Sequence, residues 1–374
     1  MVVETIRFYC YLFIEAQEGT SPMQKKNETK VIRSRIQRKV VDNAFHSNKR
    51  VIEQLGETGV IERIVKRFRV NKQLVTEGAG EDDCAVIALE KAKGGYNYLV
   101  VTTDMLQEST HFPAGISPFQ IGWSAVAVNL SDIAAMGAHP FAFTIAMGIP
   151  AHTDTAFLDA MVEGIESCAS AYTTAVVGGD ITRSNELILT GTCFGFADNP
   201  IRRAGAGVGD LVCVTGSLGN AALGMIREEE EAKKALFQPV PRIPEGIILA
   251  DSGVVTAMID ISDGLALSLA AIAKSSNVGF EIYEDNVPIG NDELRNAGYL
   301  ELSKSELREL AFYYGGDYEL LFTIRALEDE ELLTRLQKEV KMSIIGNVVP
   351  SEEGIYFKSG AKKEQMELKG YQHF

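Results

Sequence analysis

The chain has 374 residues, with 36 lysines and arginines against 51 aspartates and glutamates, and a formal net charge of −15. Apolar residues make up 46% and charged residues 23%, which is ordinary globular usage and excludes a wholly disordered, collagen-like or disulfide-dense chain. The length suits two domains, and the negative charge disfavours nucleic acid as a partner because it repels the phosphate backbone.

The five cysteines are scattered singly, without a CxxC pair or a histidine at metal-ligand spacing. This distribution argues against a disulfide framework and against a structural zinc site. No apolar run reaches the roughly 18 residues of a membrane-spanning helix, and the N-terminus lacks a secretory signal pattern. We therefore expect a cytoplasmic protein with no membrane partner.

Residues 1–50 differ from the rest of the chain. Nine basic and two acidic residues lie between Lys25 and Arg50. We expect these residues to form an N-terminal extension outside the folded domains. Two interpretations remain open, a basic arm for an anionic partner or a poorly ordered tail, with Met23 as a rival start.

The elements predicted after the extension alternate between helices and short strands. Residues 51–70 have a helical pattern interrupted near Gly56 and Gly59. Ser117 followed by Pro118 is typical of a helix start, and Gly137 with Pro140 predicts its end about five turns later. The other elements predicted in this half are a helix at 155–171 and strands at 85–89, 98–102, 175–177 and 187–196.

A glycine-rich stretch with Asp198-Asn199-Pro200 interrupts the pattern near 198–208. We place the domain boundary there, which gives domains at 51–200 and 201–374. Beyond it the predicted strands are 211–215, 279–283, 318–324 and 343–349, and the predicted helices are 221–234, 265–274 and 327–340. Strands and helices mixed throughout the chain predict an α/β or α+β architecture.

Five segments place aspartates beside small residues at the predicted ends of these elements. Such positions suit metal and phosphate ligands, because a rigid strand fixes the carboxylate and a glycine admits the ligand to the backbone. The repetition predicts a site for a metal ion and a phosphate. The segments are Gly80-Glu81-Asp82-Asp83, Thr102-Thr103-Asp104, Asn129-Leu130-Ser131-Asp132, Gly178-Gly179-Asp180 and Asp260-Ile261-Ser262-Asp263-Gly264.

Asp132 carries the strongest physical argument among these aspartates. It falls in the last turn of a largely apolar predicted helix, where the helix dipole disfavours negative charge. A cation beside it would remove that cost, and Asn129, one turn earlier, would add an oxygen. The alternative is an ordinary solvated helix end.

Two glycine segments are interpreted as turns. Gly178 and Gly179 follow an apolar run, so their amides would be free for a phosphate while Asp180 holds its metal. The loop at 216–220 fits a packing turn and an anion site at a helix start equally well, and it lacks the lysine of a Walker A loop. His111 is compatible with a ligand contact or with a structural role.

No GxSxG, HExxH or cysteine–histidine pairing suggests a nucleophile, which leaves metal-assisted phosphate chemistry.

Seven segments, taken in order, are similar to those of the thiamine-monophosphate kinase family, in the aminoimidazole-ribonucleotide-synthetase-like superfamily. The similarity runs from about Leu55 to Phe374. The segments are TTDMLQESTHF, AVNLSDIAAMGAHP, VVGGDITRS, RRAGAGVGDLVCVTGSLGNAALG, DISDGL, GGDYELLFT and KGYQHF.

The resemblance implies an N-terminal α/β domain whose sheet pairs with that of a second subunit, followed by a C-terminal α/β domain. Active sites would lie between the domains at the interface of a homodimer. The implied reaction is direct transfer of the γ-phosphate of ATP onto thiamine monophosphate, with several Mg²⁺ ions and without a phosphoenzyme.

The resemblance also implies roles for particular residues. The implied magnesium ligands are Asp83, Thr102, Thr103, Asp104, Asp132, Asp180, Asp260 and Asp263. The implied ATP contacts are Gly179, Asp180, Arg203 and Ser262. The implied contacts with the thiamine substrate are His111, Asp317 and Tyr371.

The chain departs from the family pattern at two places. The family's Gly-Gly-Glu-Asp-Tyr-Glu-Leu is one residue short here, so either Asp317 takes over from the missing Glu or the thiamine end is held differently. The segment ending at Asp83 is one residue longer than usual, and Asp82 or Glu81 is an alternative ligand there.

Three alternatives to this function remain. The first is another ATP-using enzyme of the superfamily, such as selenophosphate synthetase, aminoimidazole-ribonucleotide synthetase or the hydrogenase-maturation dehydratase. The STHF and KGYQHF segments, the missing cysteine–lysine pair and the missing C-terminal cysteine argue against these. The second is a non-catalytic nucleotide-binding regulatory protein, and the third is nucleic-acid binding through the basic arm.

Overall fold

The computed structural model describes residues 63–64, 66–69, 75–77, 86–87, 98–226, 230–290, 302–326 and 330–371. The predictions for residues 1–50, for Asp83 and for most of the 51–70 helices lie outside this part of the chain. Two short strands, β1 (Val75–Glu77) and β2 (Val86–Ile87), pair with each other. They precede the two larger sheets.

The N-terminal part of the described chain is built on a four-stranded sheet. Its strands lie in the order β3-β6-β4-β5, antiparallel except for the parallel pair β4 and β5. Their bounds are β3 Tyr98–Gln107, β4 His139–Ile149, β5 Ala175–Arg183 and β6 Ile188–Ala197. The helices are α1 Glu108–His111, α2 Pro118–Ala135 and α3 Thr155–Ala171.

Helix α2 begins as the sequence predicted. The Ser117 side chain accepts a hydrogen bond from the Gln120 backbone amide at 3.3 Å, and the Gln120 side chain accepts from the Ser117 amide at 2.9 Å. This reciprocal capping satisfies amides that have no partner within the helix. Helices α2 and α3 touch at glycines, since a Cβ on Gly122 or Gly164 would lie 1.9 Å from a backbone oxygen of the other helix.

The C-terminal part contains a seven-stranded mixed sheet in the order β13-β12-β9-β11-β7-β10-β8. Its strands are β7 Leu211–Thr215, β8 Val255–Asp260, β9 Val278–Tyr283, β10 Leu320–Ile324, β11 Met342–Pro350, β12 Ile355–Ser359 and β13 Lys362–Gln365. Its helices are α4 Asn220–Ile226, α5 Glu230–Phe237, α6 Ile243–Ser252, α7 Leu265–Ser276, α8 Lys304–Tyr313 and α9 Glu330–Glu339. The α/β class is confirmed.

Helix α2 joins the two parts. The Trp123 indole donates to the Pro239 carbonyl at 2.8 Å, and the Ser124 hydroxyl donates to the Phe237 carbonyl at 3.0 Å. Helix α6 lies so close to α2 that a Cβ on Gly246 would be 2.2 Å from the Ala134 carbonyl oxygen. The C-terminal end of α2 is thereby held against the C-terminal sheet. No helix in the described ranges combines the length and the apolar character needed to cross a membrane.

Several predicted boundaries were wrong. Gly178-Gly179-Asp180 lies inside strand β5 and is not a turn, and Thr102-Thr103-Asp104 lies inside β3 and not at its end. Gly179 is needed for close packing, because a Cβ there would lie 1.9 Å from the Ile145 carbonyl oxygen. The predicted helix stop at Pro140 is also the second residue of strand β4, which the sequence did not predict. An irregularity in the strand pairing beside Pro140 accommodates the proline.

Candidate functional site

Four of the predicted aspartates come together where the two sheets meet. Asp104 lies in β3, Asp132 in the last turn of α2, Asp260 at the end of β8, and Asp263 in the loop that follows. Burial raises the pKa of Asp104 to about 6, with further contributions from the charges of Asp132 and Asp263. These four residues are called the acid cluster below.

Hydroxyl groups orient two of these carboxylates. The Thr102 hydroxyl donates to Asp132 Oδ2, which links β3 to the end of α2. The Ser131 hydroxyl donates to Asp260 Oδ2 at 2.7 Å, which links α2 to β8. The two domains of the chain are therefore joined through the side chains of the cluster itself.

Asn129 has a different role from the predicted one. Its Oδ1 accepts a hydrogen bond from the Asp104 backbone amide at 3.1 Å, and its Nδ2 donates to the Ala125 carbonyl at 3.0 Å. Gly191 makes room for it, since a Cβ there would lie 2.5 Å from Asn129 Nδ2. Asn129 thus ties β3 to α2 and fixes the backbone of Asp104, and its oxygen is already engaged.

The electrostatics of the cluster combine burial, mutual repulsion and one nearby guanidinium. Burial, together with the charges of Asp132 and Asp104, raises the pKa of Asp260 to about 7. Burial also raises the pKa of Asp132. The charge of Arg203 opposes these shifts at Asp132 and Asp260. Ionised together, the carboxylates need more positive charge than Arg203 supplies.

This donor set fits Mg²⁺. The ion prefers oxygen ligands and is usually held by one or two carboxylates, waters and substrate phosphates. Within the ranges that the structure describes, no three acidic, histidine or cysteine side chains form a ready-made cage for one ion. The cluster therefore suits an ion that arrives with a polyphosphate and shares its oxygens. Asp83, another of the predicted magnesium ligands, lies outside those ranges.

Arg203 and Ser262 lie in two loops that are anchored by hydrogen bonds. The Ser276 hydroxyl, at the end of α7, donates to the Arg203 carbonyl at 3.0 Å and accepts from the Gly205 amide at 3.0 Å. The Ser262 carbonyl accepts from the Gly316 amide at 2.7 Å. Helix α7 begins directly after the Asp260–Asp263 segment and ends at Ser276, so it sets the distance between the two loops.

Tyr318 was missed by the sequence analysis as a residue of this site. Burial raises the pKa of its phenol, and the next largest contributions are the charges of Asp260 and Asp104. Its backbone has the left-handed φ of 51°, which is uncommon for a tyrosine. The only signal was its place in the GGDYELLFT segment.

The chain does not bring Asp180 to the acid cluster. Rows of paired residues run across the sheet from β3 to β5. Asp104 and Gly179 lie in one row, and Met105 and Asp180 lie in the next. Neighbouring rows face opposite sides of a sheet, and β5 is three strands from β3, about 14 Å. The Thr103 hydroxyl donates to the Gly191 carbonyl at 2.6 Å, also away from the cluster.

Two predicted substrate residues, His111 and Tyr371, lie in segments that are connected to the elements of the cluster. His111 follows β3, and its Nδ1 accepts a hydrogen bond from the Gln107 backbone amide at 3.1 Å. The Tyr371 backbone amide donates to the Asp263 carbonyl at 3.2 Å. Burial raises the pKa of the Tyr371 phenol, as does the charge of Asp263. The segment near the C-terminus is thereby tied to the loop that carries Asp263.

Asp317, the third predicted substrate residue, is occupied by the chain itself. Its two oxygens accept hydrogen bonds from the Gly219 amide at 2.7 Å and the Ala221 amide at 3.2 Å. Burial raises its pKa to about 7, although these bonds lower it. The 216–220 loop was predicted to be either a packing turn or an anion site. This arrangement favours the packing turn, because Asp317 already caps the start of α4.

Comparison with known proteins identifies the family of the chain. Residues 81–197 match AIR synthase related protein, N-terminal domain, and residues 207–358 match its C-terminal domain. The thiamine-monophosphate kinase of Methanospirillum hungatei is 39% identical over 279 residues, which cover 72% of this chain and 91% of that protein.

Two solved structures are also similar. The thiamine-monophosphate kinase of Stenotrophomonas maltophilia K279a is 31% identical, with a TM-score of 0.68 over 81% of this chain and 95% of that one. AaThiL complexed with AMPPCP and TMP is 27% identical, with a TM-score of 0.65 over 88% and 100%. The chain therefore belongs to the thiamine-monophosphate kinase family and carries both AIR synthase related domains.

Proposed function

We propose that the protein transfers the γ-phosphate of ATP directly onto thiamine monophosphate, giving thiamine diphosphate and ADP. The observation that carries this proposal is the acid cluster, with Arg203 beside it, at the junction of the two domains. Relatives named for this reaction cover most of the chain, and one similar structure is complexed with AMPPCP and TMP. We place the activity in the cytoplasm.

The residues of the site act by positioning and by balancing charge. Two phosphate-bearing substrates repel each other strongly at bonding distance. Mg²⁺, when bound with the nucleotide, would supply the positive charge that offsets this repulsion. Asp104, Asp132, Asp260 and Asp263 hold that charge in place, while the Arg203 guanidinium matches phosphate oxygens.

The acceptor is held from the other side of the cluster. We assign His111 and Tyr371 to contacts with thiamine monophosphate. Asp317 contributes through the 216–220 loop that it anchors, because its oxygens are used by backbone amides. This arrangement replaces the Glu that the family motif has and this chain lacks.

The first test is product formation by the purified protein with ATP, Mg²⁺ and thiamine monophosphate. We expect thiamine diphosphate and ADP in equal amounts by chromatography, and no product from free thiamine or from ATP alone. ADP released only with another phosphate acceptor would indicate a different enzyme of the superfamily. ATP binding without turnover would indicate a regulatory protein.

We also propose that the active unit is a homodimer. Both β3 and β5 are edge strands of their sheet, and long apolar edges are rarely left open. Leu99, Val101 and Met105 of β3 are about half exposed, at 51%, 54% and 55%. A second copy would cover this surface and would supply the Asp180 that a single chain places away from its own cluster.

Complementation tests the shared site. Asp104→Asn and Asp180→Asn should each be inactive alone. If each site takes Asp104 from one subunit and Asp180 from the other, half of the sites in a mixed dimer are intact. A co-refolded equal mixture should then recover about a quarter of wild-type activity. No recovery, with mixed dimers demonstrated by differently tagged subunits, would place both aspartates in one chain's site.

A further inference from the structure

Asp263 differs from the other three members of the acid cluster in how its backbone is held. The other three lie in β3, α2 and β8, whereas Asp263 is exposed and lies in the loop between β8 and α7. An exposed side chain on a loop keeps one position only if the backbone that carries it is fixed. The placement of Asp263 therefore depends on what holds this loop.

Two segments of the chain hold the loop by its backbone. The first is the end of α8 and the residues after it, where the Gly316 amide donates to the Ser262 carbonyl at 2.7 Å. A Cβ on Gly264 would lie 3.1 Å from the Phe312 carbonyl oxygen, so α8 approaches the loop closely. The second segment is residues 366–371, called the strap below.

The strap meets the carbonyl of Asp263 itself. The Tyr371 amide donates to this carbonyl at 3.2 Å. Gly370 permits the approach, since a Cβ there would lie 2.4 Å from the same oxygen and 2.5 Å from Leu267 Cδ1 in α7. The buried side chain of Met366 anchors the other end of the strap in the core. The backbone of Asp263 is thus fixed only as firmly as the strap is.

Lys369 fastens the strap to α8. Its Nζ lies 4.3 Å from the centroid of the Tyr313 ring and 3.2 Å from Glu309 Oε2. Tyr313 and Glu309 are about one turn apart in α8, so their side chains lie on the same face of the helix. Nζ also lies 3.0 Å from Glu367 Oε2, but Glu367 belongs to the strap and is 64% exposed. The contacts with Tyr313 and Glu309 are therefore the ones that join the strap to the helix.

We infer that Lys369 is a positioning residue for Asp263, because it connects α8 to the strap and so joins the two segments that hold the loop. This inference rests on the proposed function, in which Asp263 helps to hold Mg²⁺ beside the substrate phosphates. A loop that shifts would weaken this contact although the carboxylate is still present. Lys369 acts through the backbone of the loop and not through contact with a substrate.

The first measurement is amide hydrogen exchange of the protein in EDTA, without substrates. Lys369→Met keeps most of the aliphatic side chain and removes the ammonium group, so it should speed exchange of the Tyr371 amide about tenfold. Lys369→Arg should stay close to wild type, because a guanidinium also pairs with a carboxylate and stacks on an aromatic ring. Lys362→Met, at a side chain that is 77% exposed on β13, is the matched control. Exchange in β4 should be the same in all three variants.

The second measurement is the Mg²⁺ concentration that gives half-maximal formation of thiamine diphosphate. Lys369→Met should raise this concentration about tenfold, whereas Lys369→Arg and Lys362→Met should leave it unchanged. If Lys369 served stability alone, Lys369→Met would lower the melting temperature without changing the Mg²⁺ requirement. That result, or exchange at Tyr371 as slow as in wild type, would overturn the inference. A wild-type protein that formed no thiamine diphosphate would refute the proposed function instead, and the exchange measurement would still show whether Lys369 holds the strap.

Discussion

Asp104→Asn is expected to reduce the turnover of thiamine monophosphate about a thousandfold while leaving the protein folded. Asp132→Asn should have a similar effect. Each change removes a charged oxygen from the cluster that we propose to face the phosphates, and an amide is a much weaker partner for a hard cation. The packing around the site is preserved, because asparagine has nearly the shape of aspartate.

The same substitution should raise the stability of the protein in the absence of Mg²⁺. The pKa of Asp104 is about 6 in the folded protein against 3.8 ordinarily, so between these values the folded state keeps a proton that the unfolded chain has lost. Stability therefore falls as the pH rises through this window and stays reduced above it. An asparagine loses no proton, so Asp104→Asn should gain about 1–3 kcal/mol at about pH 8.

Thermal denaturation in EDTA at about pH 5 and about pH 8 measures this effect. The advantage of Asp104→Asn over wild type should grow with pH and should shrink when Mg²⁺ and ATP are added, because they stabilise only the ionised cluster. Asp251→Asn, at an exposed position on α6, is the control for loss of one negative charge. Near-normal turnover in Asp104→Asn, or a loss of stability at high pH, would contradict the role assigned to the cluster.

The parts of this site that were predictable have local causes. Ser117 and Pro118 determine where α2 begins, so the position of Asp132 in its last turn followed from the pattern of the chain. The repetition of aspartates beside small residues indicated a shared site, although Asp104 lies inside its strand and not at the end. Arg203 came from family resemblance, because an isolated arginine in a glycine-rich loop has no local signal.

The parts that were not predictable depend on the order of strands. The separation of Asp180 from Asp104 follows from the β3-β6-β4-β5 order, which no local pattern encodes. Asn129 was predicted one turn from Asp132, but its partner is the backbone of a strand 25 residues earlier. Asp317 was similarly predicted to face a ligand, whereas it meets amides 96 and 98 residues away. Long-range contacts of this kind decide which polar residues remain available to substrates.

Arg242→Met is expected to cost about 3–5 kcal/mol of unfolding free energy, the largest stability effect of any single change proposed for this chain. Arg242 Nε and Nη2 donate to the two oxygens of Glu319 at 2.7 and 2.6 Å. The Glu319 side chain is only 4% exposed, and the Thr215 hydroxyl donates to it at 2.6 Å. Without the guanidinium, Glu319 would be a buried charge whose remaining side-chain partner, among the described residues, is the Thr215 hydroxyl.

The position of this pair gives it more than local importance. Arg242 precedes α6, which packs against α2, and Glu319 lies between Tyr318 and the first residue of β10. Gly216 leaves the space that the pair occupies, since a Cβ at this position would lie 2.0 Å from Glu319 Oε1. The ion pair therefore fixes the Asp317–Tyr318 segment relative to the helix that carries Asp132.

Urea denaturation of the single and double variants measures the free energy of unfolding. It distinguishes the stability that the ion pair contributes from the cost of leaving one charge unpaired. Arg242→Met/Glu319→Met should recover much of the stability lost in Arg242→Met, because replacing both charges leaves nothing uncompensated. Arg335→Met, on the exposed side of α9, should change stability by less than about 0.5 kcal/mol. A double variant as unstable as the sum of its single changes would mean that the two charges act independently, and that another contact holds Tyr318 beside the acid cluster.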